Sequence, residues 1–363
     1  MELFSLKSEL KFKPRFAPSA GAVGKSQPHS MKARTSLIAS SFFQKCDFKF
    51  SGCARLVGRV MENVCSVLLA ISLLALAQGG SANAAIKHVR AGATGKGSGD
   101  NWNDAYPDIP SQLVRGNIYY IANGNYSGGE ITVPLNGTNQ IYLKKASVSD
   151  HGSNIGWSDS YGDGTAILGT WYIHDGPDGD TGFITFDGAY RFGFRINLGV
   201  GSIGFTIRND SRIAGRSIPN LTFKYLEIVG PGDNVVNYPW GAGPYSRGIR
   251  IYGGLEGDPG YPNYVVSNCR FRGLLDALFL SRTDNLLVEH SEFAWANGDS
   301  ASHPDVVWIS HSSGCIWRYN IFHEFNVEGI EMSGVCNNWR VYGNVVFNRY
   351  APIEVSRFIE HHI

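Results

Sequence analysis

The chain has 363 residues, 43% of them hydrophobic, and its 32 basic side chains face 31 acidic ones, which excludes a disordered polyelectrolyte and a basic nucleic-acid-binding protein. Its 44 glycines, 15 prolines and 12% aromatic residues, against only 17% charged ones, favour many short strands and turns over helical bundles. The near-neutral total hides an asymmetry: residues 1–60 hold 11 Lys/Arg and three acids, leaving 21 basic and 27 acidic residues from position 85 onward.

The longest apolar run, Val64 to Ala77, has 14 residues and is too short to span a bilayer. With Ala82-Asn83-Ala84 behind it as an A-x-A cleavage site, residues 61–84 read as a signal peptide, and the mature chain is expected to begin at Ala85. Residues 1–60 read as a non-folded extension with Met61 as the true start, or alternatively as an organelle import peptide, being basic, acid-poor and serine-containing. The expected location is secreted or periplasmic, with no membrane contact after cleavage. Export permits disulfides, yet the mature part holds only Cys269, Cys315 and Cys336. That odd number excludes a disulfide scaffold and allows at most one bridge, Cys315 with Cys336; no Cys/His zinc spacing is present.

Residues 85–215 carry irregular strands such as TAILGTWYIHD and GFITFDG between long Gly/Asp/Ser loops. From residue 216 a repeat takes over. Segments beginning at Arg247, Asp276, Asp305, Glu328 and Ala351 align as RGIRIY, DALFLS, DVVWIS, EGIEMS and APIEVS, at spacings of 29, 29, 23 and 23 residues. Alternation puts Ile249/Ile251, Leu278/Leu280, Val307/Ile309, Ile330/Met332 and Ile353/Val355 on one face. Arg250, Phe279, Trp308, Glu331 and Glu354 take the other. One such unit cannot bury its apolar face, but units stacked about 4.8 Å apart form a continuous core with parallel strands. Cys269, Ser291, Asn320 and Asn344 occupy equivalent positions in a second strand of each unit, where inward polar groups at a bend are expected to form a ladder.

The segment EGIEMSGVCNNWRVYGNVVFN, Glu328 to Asn348, resembles the coil repeat of right-handed parallel β-helix proteins, the pectate-lyase-like superfamily, and the pattern covers five coils over residues 220–356. HVRAGATGKGSGDNWNDAY followed by GNIYYIANGNYSG is similar to the first coils of such proteins. The resemblance implies an all-β right-handed parallel β-helix, with a cap and irregular coils over 85–215 and regular coils over 216–363. The superfamily hosts lyases, hydrolases, esterases, epimerases and phage tailspikes, so the fold does not fix the function. The last segment, APIEVSRFIEHHI, stops after one strand of a new coil with no polar cap behind it, so a truncated fragment is expected.

Chemistry is expected where the coil is interrupted. Between Phe293 and Asp305 lies an 11-residue loop, AWANGDSASHP, where neighbouring coils use four or five residues. It brings Trp295, Asp299 and His303 to the corner that also carries Arg272, His323 and Glu324, beside the stacked strand starts Asp276, Asp305 and Glu328. Cleavage of a polysaccharide needs such acids, bases and aromatic faces. His303 with Asp305, His323 with Glu328, and Glu331 are the candidate catalytic residues; Trp295, Trp308, Arg250, Arg272 and Glu354 are the candidate substrate contacts. No cofactor is required, although Asp276 and Asp299, with Asp305 and Glu328, offer oxygen ligands that suit Ca2+. The paired-Asp, G-H-G and R-I-K elements of polygalacturonases and the R-x-P-x-x-R of calcium pectate lyases are missing, as are a P-loop, a nucleophile elbow and a basic stripe. The expected function is a monomeric secreted polysaccharide lyase or glycoside hydrolase; the alternative is a non-catalytic glycan-binding or surface adhesion β-helix.

Overall fold

The computed structural model describes residues 84–131, 133, 137–175, 181–190, 192–209, 217–234, 246–252, 260–296, 305–325, 328–348 and 359–362. Among these residues the chain forms 25 strands, one short 3-10 turn at Asp159–Tyr161 and no α-helix. The strands lie in three parallel sheets of nine, eight and eight strands, none closed into a barrel. One coil shows the path: Asp276–Ser281 in the third sheet, Leu287–Glu289 in the first, Glu292–Ala294 in the second, then Asp305–Ser310 back in the third. The architecture is a parallel β-solenoid.

Register follows the aligned segments closely. Ile249 pairs with Leu278, Leu278 with Val307 and Val307 with Ile330, so each aliphatic residue stacks on its equivalent one coil away. All four are at most 1% exposed. Aromatic residues continue the stack from the second sheet, with Phe271 on Phe293 at 5.2 Å and Phe293 on Phe322 at 4.8 Å. Burying each such side chain contributes about 2–3 kcal/mol. Asparagine serves the corners, because its short amide tolerates the left-handed region: Asn220, Asn263, Asn285 and Asn338 have φ of 57°, 65°, 55° and 56° where the chain enters the first sheet.

The expected inward polar ladder is present. Cys269 N–H donates to Ser291 Oγ (3.1 Å), Ser291 N–H to Asn320 Oδ1 (3.0 Å), and Asn320 N–H to Asn344 Oδ1 (2.9 Å). The amides of Asn320 and Asn344 donate onward to Val288 O and Trp317 O. Thus four coils exchange backbone and side-chain bonds through one buried column.

Two expectations change. The described cysteines, Cys269, Cys315 and Cys336, are free thiols, so Cys315 and Cys336 are not bridged; Cys315 is fully buried, and burial pushes its thiol up to about 12. The strand that pairs with Glu328–Ser333 is Ile359–His362, with Ile330 opposite Ile359 and Glu331 opposite Glu360. The expected strand at Ala351, with Ile353, Glu354 and Val355, falls outside the described residues.

Candidate functional site

Simple alternation fails at the start of the third-sheet strands from Ile203–Arg208 onward. In Asp276–Ser281 and Asp305–Ser310 the second and third residues are both buried, Ala277 with Leu278 and Val306 with Val307. Two successive inward positions bring the first and fourth residues of the strand onto the same outer face. Consistent with this, the guanidinium of Arg247, a strand's first residue, lies 4.9 Å from the ring centre of Phe279, a fourth residue. Two rows therefore run side by side along the solenoid. One holds Ile203, Arg247, Asp276, Asp305 and Glu328; the other holds Thr206, Arg250, Phe279, Trp308 and Glu331.

Aromatic and basic groups occupy the middle of this face. Phe279 and Trp308 stack at 4.3 Å with a 15° interplanar angle. Arg250 lies over Tyr252 at 3.8 Å and over Phe279 at 5.3 Å. Its Nε is buried without an acceptor, and no ion pair holds the guanidinium among the described residues. Arg247, by contrast, meets Asp276 at 2.5 Å.

The acids lie alongside. Asp276 is 1% exposed; burial raises its pKa, while Arg247 opposes the rise, and its Oδ1 accepts the Asp305 N–H at 3.3 Å. Asp305 is equally buried, and neither of its carboxyl oxygens has a hydrogen-bond donor. Burial first, then the adjacent Glu331 carboxyl, then Asp276 and Glu328, push it up to about 10. Burial and the neighbouring carboxyls together disfavour the ionised form of Asp305.

The remaining candidates go elsewhere. His323 Nε2 meets Glu292 Oε1 at 3.2 Å, and its ring stacks on Phe347 at 5.1 Å. Glu292 also takes Arg270 at 2.8 Å; His323 first, then Arg270, hold this carboxyl below its usual range. With Arg195 and Arg270 both on Glu227, the group forms an alternating charge ladder along the second sheet, apart from the acid rows. Arg272 pairs with Asp233 at 3.0 Å. Trp295 is 6% exposed, so its ring is no open platform. His303, Asp299 and Glu354 fall outside the described residues, and among the described residues no cluster of three or more His, Cys, Asp or Glu side chains suits a metal ion.

Sequence reasoning missed Arg247 as the partner of Asp276. The signal was present, since Arg247 opens the first aligned segment where the next three open with Asp, Asp and Glu. It also missed an open hollow of about 420 Å³ at the other end of the same face, lined by Gly128, Gly129, Thr170, Trp171, Tyr172, Ile203 and Thr206. The chain matches no known family model, no curated protein and no solved structure.

Proposed function

We propose that the chain is a secreted, right-handed β-helix of the pectate-lyase-like kind that cleaves a polysaccharide lying along the outer face of its third sheet. The observation that carries this reading is the buried Asp305 carboxyl, whose pKa burial and the adjacent Glu331 push up, on the same face as the stacked rings of Phe279 and Trp308. A carboxylic acid kept protonated at neutral pH supplies a proton donor, and its carboxylate neighbour supplies a base. In hydrolysis, the Asp305 proton passes to the glycosidic oxygen as the C–O bond breaks. Glu331 attacks the anomeric carbon as that bond breaks, and water then displaces it from the glycosyl intermediate, giving its proton to the Asp305 carboxylate and restoring both groups. The outer edges of the stacked aromatic pair flank the path of the sugar rings, and the Arg250 guanidinium offers donors to hydroxyl or carboxylate oxygens. A lyase would use the same groups with the base acting on a ring proton α to a uronate carboxyl.

The test incubates the full chain with a panel of neutral and uronate-containing glycans, with Asp305→Asn and Glu331→Gln alongside. New reducing ends identify a hydrolase, and unsaturated products a lyase; loss of both in either variant assigns the pair. A panel with no cleavage removes the catalytic reading. The second reading, a glycan-binding solenoid, is favoured by the chain of contacts from Arg247 through Asp276 to the Asp305 N–H, which has the form of a structural cap. It predicts binding without turnover, unchanged by Asp305→Asn.

A further inference from the structure

The hollow lies on the same two rows as the acid pair. Ile203 and Thr206, which line it, pair with Arg247 and Arg250, the next members of each row. From Thr206 the outer row runs through Arg250, Phe279 and Trp308 to Glu331, four rungs or about 19 Å at the strand spacing. Tyr172 adds a fifth rung, pairing with Thr206 on one side and Glu130 on the other.

Its walls are suited to one polar ring. Thr170 and Thr206 bring hydroxyls and Tyr172 an aromatic face; Gly128 and Gly129 leave the floor without side chains. The volume of about 420 Å³ falls within the roughly 300–1,000 Å³ of small-ligand sites. Charge differs along the face as well: acids gather at Asp305, Glu328 and Glu331, arginines at Arg247 and Arg250, and the hollow's lining carries no charged side chain.

We propose that this hollow is a distal subsite that holds an uncharged sugar ring of the same chain whose cleaved bond lies at Asp305 and Glu331. The ligand is accordingly an extended oligomer of at least four rings rather than a mono- or disaccharide. This inference rests on the glycan reading above and adds its length requirement. Binding energy gathered in the hollow, far from the reacting bond, would hold the chain in register over the acids.

Calorimetry on the full chain, with cello-oligosaccharides and oligogalacturonates from disaccharide to hexasaccharide, tests it. The hexasaccharide of the series that binds is expected to bind about tenfold more tightly than the disaccharide, the worth of one well-held ring. Thr206→Trp fills the hollow from the outer row, and Thr170→Trp, at an exposed position before its strand, fills it from the other side should the first fail. Either variant should abolish the length preference while disaccharide binding stays unchanged. Equal affinity for long and short chains, or a length preference that survives both fillings in proteins with wild-type melting, overturns the subsite. Failure of every oligosaccharide to bind the wild type removes the glycan reading, and this inference with it.

Discussion

At the scale of single residues, Asp305 links stability to pH. It keeps its proton to about pH 10 in the folded chain, against 3.8 for an ordinary aspartate, so folding takes up a proton across that window. The sign follows: Asp305 lowers stability progressively as pH rises from about 4 towards 10. Asp305→Asn has the shape of the protonated acid without its titration. The variant should match the wild type near pH 4 and exceed it by a margin that grows as the pH rises to 8, read by urea denaturation at both pH values. Cleavage, in contrast, should fall by about 10²–10⁴, because the proton donor is gone. A variant that lost activity and stability together at pH 8 would argue for a cap and against a donor.

The two arginines beside it separate structure from binding. Arg247→Ala strands the Asp276 carboxyl, 2% exposed at its side chain, without a counter-ion and should cost about 3 kcal/mol in thermal or chemical melts. Arg250→Ala removes ring contacts only and should cost about 1 kcal/mol, yet weaken whatever glycan the face binds. If Arg250→Ala were as destabilising as Arg247→Ala, the guanidinium would be a structural strut and not a free fork.

At the scale of elements, the ladder through Ser291, Asn320 and Asn344 decides how tightly adjacent coils are joined. Asn320 is fully buried; it accepts from the Ser291 N–H and donates to Val288 O and Asn344 Oδ1. Asn320→Ala leaves a buried N–H and a buried carbonyl without partners and should cost about 3 kcal/mol. Asn320→Ser, which keeps a short oxygen as Ser291 does one coil earlier, should recover part of that loss in the same urea melts. Equal costs for Ala and Ser would mean that packing, not the ladder, governs the position.

How far the sequence reveals these elements depends on whether one repeat unit states its own geometry. The stacked strands at Arg247, Asp276, Asp305 and Glu328 were legible because each carries an aliphatic pair at fixed offset, and the polar column was legible because its members recur after a constant turn. The acid pair was not. Strict alternation separates Asp305 from Glu331, and only the doubled inward step at Val306 and Val307 returns them to one face. His303 and Glu354 lie outside the described residues. The earlier coils were obscure for another reason. Strands of three or four residues, such as Gly124–Tyr126 and Ala166–Leu168, are too short to show a period between loops of unequal length.

At the scale of the whole molecule, a solenoid has no centre; each coil is held by its two neighbours, so local stability tracks local burial. That burial is uneven along the described coils. Phe293 and Phe322 are fully buried in the second sheet, whereas Val345, Val346 and Phe347 in the next strand of that sheet are all half-buried. The first sheet behaves alike, with Val288 and Trp317 fully buried and Val341 only partly so. Opening the coil of Arg340–Tyr342 and Val345–Phe347 therefore exposes less apolar surface than opening the coil of Leu287–Glu289 and Glu292–Ala294. Native-state hydrogen exchange should accordingly show protection rising stepwise from the amides of 340–347, through 316–323, to 287–294. Phe293→Ala should lower protection in the two coils that flank it and leave Ile141–Lys145 nearly unchanged. A single exchange rate shared by all of these amides, falling uniformly on Phe293→Ala, would show one globally cooperative unit in place of a stack held coil by coil.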